Sequence, residues 1–305
     1  MALMSNTDFY TSLLKNAANL GLVKTNKKIE LFNIPAGFDI ETSSFYIDDI
    51  KYATMYEWTF GYGIVNDGDL ATYVTYGRTW DEFERLLNFV AMLLELNPKN
   101  KRLVVYVHNL PYEWQWIRKR FKWDKVFLLD DRKPVYAITS TGIEFRCSLK
   151  LSGKSLANTA KDLTKYKVTK AVGDLDYNLI RLSPTPLTEK ELGYCERDVL
   201  VMLSYIQEKI EADGDISKIP LTKTGYVRRY CKKACFREME ENVDAYEELE
   251  AETMGVSRAE RSLYGRIYAR ERASRRDDSQ EGSLLRFYQL ISSLYGGVQV
   301  SDEFR

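Results

Sequence analysis

One histidine, His108, and four cysteines are all that this chain of 305 residues holds of imidazole and thiol. Cys147, Cys195, Cys231 and Cys235 show no Cys-x-x-Cys pairing, so a zinc centre is not expected, and the cysteines read as reduced thiols of a cytosolic protein. His108 adjoins an apolar strand and reads as a structural residue rather than a general base. Excess charge of either sign is also lacking. Lys+Arg and Asp+Glu number 44 each, so a nucleic-acid ligand would have to be held by a local basic surface. The N-terminus carries no basic stretch leading into an apolar one, and no apolar run approaches the roughly 18 residues of a membrane span; neither export nor membrane insertion is expected. What is present is 45% apolar and 13% aromatic residues. That is enough for the core of one large or two medium domains.

The periodicity changes along the chain. Phe9, Leu13, Leu14, Ala18 and Leu22 have helical spacing, which predicts a helix over 8–22, followed by a polar connector and forming an extension to the core. From Ile34 onward the pattern is that of strands. Tyr56, Trp58, Phe60, Tyr62 and Ile64 alternate with smaller or polar residues, and Asn66-Asp-Gly-Asp69 marks a hairpin turn to a further strand over 71–76. Thr79-Trp-Asp-Glu82 is a capping box that opens an amphipathic helix ending at Asn97-Pro98. Leu103 to Val107 reads as a strand buried on both faces, and Asn109-Leu-Pro-Tyr leads into a helix bearing Glu113, Trp114 and Ile117. Strands are predicted over 126–129, 135–139 and 143–147, and a helix over 155–166. A second capping box, Thr188-Glu-Lys-Glu191, opens a helix that places Tyr194 and Asp198 on one face. Strands followed by alternating helices and strands predict an α/β domain with a mixed sheet flanked by helices, of the ribonuclease H-like kind.

Three acidic motifs fall on these elements in order: Gly37-Phe-Asp-Ile-Glu-Thr42, Asn109-Leu-Pro-Tyr-Glu113 and Tyr194-Cys-Glu-Arg-Asp198. Asp39 and Glu41 share one face of a strand, about 7 Å apart at their Cα atoms. Phosphodiester hydrolysis needs a water deprotonated near neutral pH and charge neutralised on the attacking and leaving oxygens. Two Mg²⁺ or Mn²⁺ ions about 3.5–4 Å apart supply both, and such ions prefer carboxylate oxygens. Asp39, Glu41 and Asp198 are the predicted ligands, Glu113 completes the set directly or through a water, and the Tyr194 hydroxyl is placed to orient the attacking water.

These motifs resemble the 3′→5′ exonuclease domain of family B DNA polymerases, most closely the protein-primed phage type. Phe38-Asp-Ile-Glu-Thr42 is similar to the first exonuclease motif, Tyr106-Val-His-Asn-Leu-Pro-Tyr-Glu113 to the second and Tyr194-Cys-Glu-Arg-Asp198 to the third. Cys147-Ser-Leu-Lys150, Ala160-Lys-Asp-Leu163 and Gly173-Asp-Leu-Asp-Tyr177 resemble the segment that lines the channel for the primer end. The resemblance implies that Asn109, Tyr112, Ser148 and Leu149 contact a frayed single-stranded 3′ end, so that melted ends are favoured over duplex. It also implies a role in viral or phage DNA replication. Two positions depart from the pattern. Glu113 stands where the family has Asp, a carboxylate longer by one C–C bond of about 1.5 Å. The family's catalytic lysine position holds Val172, with Lys170 two residues earlier as the candidate.

Near the C-terminus Tyr295, Gly296 and Gly297 resemble the motif between exonuclease and polymerase domains, which implies that these three residues touch the template strand. The palm's metal-binding aspartates have no counterpart, so DNA synthesis by this chain alone is not expected; a truncated or naturally split polymerase is. Its expected partners are the remaining palm, fingers and thumb and a terminal priming protein, in the cytoplasm (a host's, if viral) and away from membranes. The predicted division is an N-terminal helical extension over 1–30, an exonuclease domain over 31–207, and over 208–305 a helical linker and the start of the polymerase region. In the last, an acidic stretch, Glu238 to Glu252, precedes an arginine-rich one, Arg258 to Arg276. Two other functions fit the motifs: a nuclease-inactive DNA-binding or subunit-docking module working through the arginine-rich stretch, and a free-standing RNA exonuclease of the same fold.

Overall fold

A computed structural model describes residues 3–168, 176 and 179–231. Lys170, the arginine-rich stretch and the three predicted template-strand residues Tyr295, Gly296 and Gly297 lie outside the described residues. The alternation centred on Phe60 becomes β5 (Ile50–Asn66), the longest strand of the sheet. It pairs antiparallel with β4 (Ala36–Ile47) on one side and β6 (Asp69–Gly77) on the other. Asp67 and Gly68, both at positive φ, form the turn between β5 and β6; this left-handed geometry matches the twist of the paired strands. β7 (Lys101–Val107) lies parallel to β4, and β10 (Ile143–Cys147) parallel to β7. β9 (Pro134–Thr139) and β8 (Trp123–Leu128) complete that side as an antiparallel pair. The result is a mixed sheet flanked by helices, the architecture expected from the order of elements.

Both faces of the sheet are covered. Phe38, Ile40, Trp58, Phe60 and Tyr62 form the main core with Phe83, Leu86, Leu87 and Val90 of α2 (Trp80–Leu93), whose capping box is formed as predicted. On the opposite face lies α6 (Glu189–Asp213), opened by its own capping box at Thr188 and crossing β4, β5 and β6. Small residues let it approach. A Cβ on Gly61 would come within 3.1 Å of Val199 Cγ1 and 3.0 Å of Val74 Cγ2. α3 (Leu110–Ile117) begins shortly after β7, with Asn109 at positive φ and Pro111 in its first turn.

Several elements differ from the sequence-based expectation. The helix predicted over 8–22 ends earlier: α1 is Asn6–Asn16, and Leu22–Lys24 is a strand, β2, paired antiparallel with β3 (Glu30–Phe32). β3 continues onto β7, and β1 (Leu3–Met4) runs parallel to β6, so this segment adds strands at the sheet's margins. Phe9 and Leu13 are buried in the main core, which makes residues 3–30 part of its packing. The helix predicted over 155–166 shrinks to α5 (Leu156–Lys161), preceded by the short α4 (Ser148–Ser152). Glu208 of α6 explains the shortening: its Oε1 accepts from the backbone N–H groups of Thr164, Lys165 and Tyr166 at 2.7–3.1 Å, offering them an alternative to the helix. The boundary expected at residue 207 falls inside α6, and Ile216 and Ile219 beyond it pack with Val104, Tyr106 and Ile206. Met1–Arg229 forms one compact unit. No helix among the described residues is long and apolar enough to cross a membrane.

Candidate metal centre

The acids of β4 stand just past the end of β7. Phe38 is level with Val107, the last residue of β7, so Asp39 and Glu41 project beyond the paired region of these parallel strands. By strand alternation they point away from the aromatic core, toward the face that α6 covers. One carboxylate oxygen each from Asp39, Glu41 and Asp198 lie within 4.8 Å of one another. Residues far apart in the chain therefore form one acid cluster, because α6 packs on the face of β4 opposite the aromatic core. Tyr194 stands one helical turn before Asp198 and is buried. Glu113, in the first turn of α3, is 3% exposed, and its Oε2 has no hydrogen-bond partner among the described residues. Burial first, and then the charge of Asp39, hold the Glu113 carboxyl well above the usual carboxylate range. Among the described residues the converging set is Asp39, Glu41 and Asp198, without Glu113, and three carboxylates so placed are an environment that a hard cation satisfies. The residues present fit such an ion.

A β-bulge decides which side chains join this centre. Thr42 opposes Met55 and Glu41 opposes Glu57, so Tyr56 is the extra residue of β5. The plain alternation puts Tyr56 beside Trp58 in the core. The bulge removes it, gives that place to Met55, and brings the Tyr56 ring 5.8 Å from the Arg181 guanidinium. Burial, then the Glu41 charge, raises the Tyr56 phenol. Glu57, directly opposite Glu41, is 1% exposed; burial pushes its carboxyl up to about 8, with Asp39 adding to the rise and the Thr59 hydroxyl opposing it. Cys195 packs beside Glu57, and its thiol is raised by burial and by the Glu57, Glu41 and Asp39 charges.

The two arginines at this end of the site are engaged elsewhere. Arg181 donates to Glu191 at 2.6 Å and to the carbonyls of Asp176 and Leu179, while its backbone N–H donates to Ser43 Oγ. Arg78 donates to the carbonyls of Tyr56, Leu182 and Thr185. Together they tie the segment before α6 to the β4–β5 ladder. Glu57, Tyr56 and Arg181 are not among the sequence-predicted residues. The one signal for Glu57 is its place among the small and polar positions Thr59, Gly61 and Gly63, the set that faces Asp39 once the strands are paired.

The remaining predicted residues surround α3 and α4. Tyr112 is 43% exposed and hydrogen-bonded through its hydroxyl to Thr42, next to Glu41. Asn109 is exposed at the helix start. Ser148 is buried, its hydroxyl 3.0 Å from His108 Nδ1 and donating to the Val107 carbonyl. Leu149 packs partly buried against the main core, as Trp116 does, and Trp114 is buried in it.

No family model and no curated protein matches this chain significantly. Solved structures of phi29 DNA polymerase do. The form complexed with single-stranded DNA is 19% identical with a TM-score of 0.48, covering 66% of this chain and 35% of that one. An orthorhombic crystal form of the same polymerase is 18% identical, TM-score 0.47, over 67% and 34%. The ternary complex with primer-template DNA and incoming nucleotides gives 18% and 0.44 over 59% and 31%. The chain thus spans about a third of the length of these polymerases. At these identities the similarity is one of fold alone.

Proposed function

We propose that this chain is the 3′→5′ exonuclease, or proofreading, portion of a family B protein-primed DNA polymerase of viral or phage replication. It would hydrolyse single-stranded DNA 3′ ends with two Mg²⁺ or Mn²⁺ ions. The observation that carries this reading is the convergence of Asp39, Glu41 and Asp198 within 4.8 Å, with Tyr194 one turn away on the same helix. Asp39, Glu41, Asp198 and Glu113 would hold the cations. Bound there, divalent ions would lower the pKa of a water and neutralise phosphate charge. Tyr194 orients that water through its hydroxyl. Asn109 and Tyr112, exposed at the start of α3, would contact the unpaired strand together with Ser148, whose hydroxyl meets His108, and Leu149. Lys170 is proposed for the lysine role, and Tyr295, Gly296 and Gly297 for contact with the template strand. The remaining palm, fingers and thumb, a terminal priming protein and a cytoplasmic setting belong to the same proposal.

Asp39→Ala with Glu41→Ala is expected to abolish metal-dependent release of mononucleotides from single-stranded DNA while leaving the circular-dichroism spectrum unchanged. Undiminished nucleolysis in that double variant would sink the assignment. Matched RNA and DNA oligonucleotides measure the sugar preference, expected to be for DNA.

A further inference from the structure

Glu57 has no place in the motifs, yet it lies in the wall of the acid centre. It directly opposes Glu41 across the β4–β5 ladder, and Thr59 directly opposes Asp39. Side chains so paired share a face, with Cβ atoms roughly 4.5–5.5 Å apart. Its carboxylate is almost wholly buried. Oε1 accepts from the Thr59 hydroxyl at 2.5 Å, and Oε2 has no hydrogen-bond partner among the described residues. Two acids directly opposite on adjacent strands repel, and a buried carboxylate oxygen without a donor forfeits its solvation; both are unfavourable unless something positive or proton-donating enters. Among the described residues the groups that face Glu57 supply it only in part: Asp39 and Glu41 on β4 carry like charge, Cys195 on α6 offers a thiol hydrogen bond, a weak one, and the Arg78 guanidinium attracts the carboxylate while donating to three carbonyls.

We propose that Glu57 is a positioning residue of the metal centre: with a divalent cation on Asp39, Glu41 and Asp198, its Oε2 accepts a hydrogen bond from a water of that cation. The inference rests on the metal-centre reading above and adds a fifth carboxylate to it. The bulge at Tyr56 is what makes this possible, since without the extra residue Glu57 would face the aromatic core. Thr59 in turn holds Oε1 and leaves Oε2 to the ion's hydration shell.

The test is a Mn²⁺ titration of the full chain, with free Mn²⁺ read by electron paramagnetic resonance. Glu57→Gln keeps the shape and the acceptor for Thr59 but puts an amide nitrogen, which cannot accept, in the place of Oε2. It is expected to bind Mn²⁺ about tenfold more weakly, the usual scale for losing an outer partner of a metal site, with an unfolding midpoint in chelator no lower than wild type. Asp39→Asn with Glu41→Gln is expected to lose binding altogether. If the double variant loses Mn²⁺ and Glu57→Gln binds as tightly as wild type or more tightly, Glu57 is a structural acid and the inference is overturned while the metal centre stands. If all three bind alike, the reading of the centre fails with it. Should Glu57→Gln not fold, Glu57→Asp replaces it: several-fold weaker binding supports the proposal, and wild-type affinity overturns it.

Discussion

The two faces of the β4–β5 ladder are made from alternate residues of the same strands and have opposite chemistry. One carries Phe38, Ile40, Trp58, Phe60 and Tyr62, closed over by α2 and stacked ring on ring, as Phe38 is on Phe83 at 4.2 Å. The other carries Asp39, Glu41, Glu57 and Thr59 beneath α6. The aromatic face buries apolar area and supplies stability; the acid face gathers carboxylates, with Glu57 almost wholly buried among them. The packing of the aromatic face thus holds the acid-bearing residues of the same strands in place.

Breaking each face should have a distinct signature. The largest effect on the aromatic side is expected from Phe60→Ala, a fully buried ring whose loss costs about 3–5 kcal/mol in denaturant unfolding. On the acid side Asp39→Ala with Glu41→Ala should lower nuclease turnover by at least about 10²–10³-fold, the scale of losing a major electrostatic element. Its stability in chelator should stay within about 1 kcal/mol of wild type, because neither side chain belongs to the aromatic core. A destabilisation as large as that of Phe60→Ala would erase the contrast between the faces.

The pH dependence sharpens the comparison. The Glu57 carboxyl moves from 4.5 to about 8 on folding, so the folded protein holds a proton that the unfolded chain has released. The associated stability is present below about 4.5 and is lost as pH rises through about 8. Glu113, also raised, acts with the same sign. Urea midpoints in chelator should fall across this window, and in Glu57→Gln the fall should be shallower. The smallest effect is expected at a feature belonging to neither face: Thr188→Ala removes the cap of α6 and should cost about 1 kcal/mol by the same unfolding measurement.

Most of the framework was legible because its causes are local. Both capping boxes form as their Thr-x-x-Glu spacing dictates, the Asp67-Gly68 turn joins the two strands that flank it, and Leu103 to Val107 is buried on both faces. The pairing of Asp198 with the β4 acids followed from motif order. The misread parts have distant partners: Leu22–Lys24 is a strand because Glu30–Phe32 and the margin of β7 complete it, and the helix after Ser155 is short because a carboxylate 44 residues away takes its amides.

The amino-acid sequence by itself determined the elements, their caps and the three acidic motifs, since these depend on neighbours within a few residues. Only the tertiary structure decided the register between β4 and β5. Counted from the Asp48-Asp49 turn, Thr42 opposes Met55, which would set Tyr56 against Glu41 and Trp58 against Asp39. The bulge at Tyr56 shifts the pairing by one, returns Trp58 to the core and places Glu57 in the acid centre. A slip of one residue exchanges the faces of every side chain beyond it, and what holds this one is the packing of α2 on one face and α6 on the other.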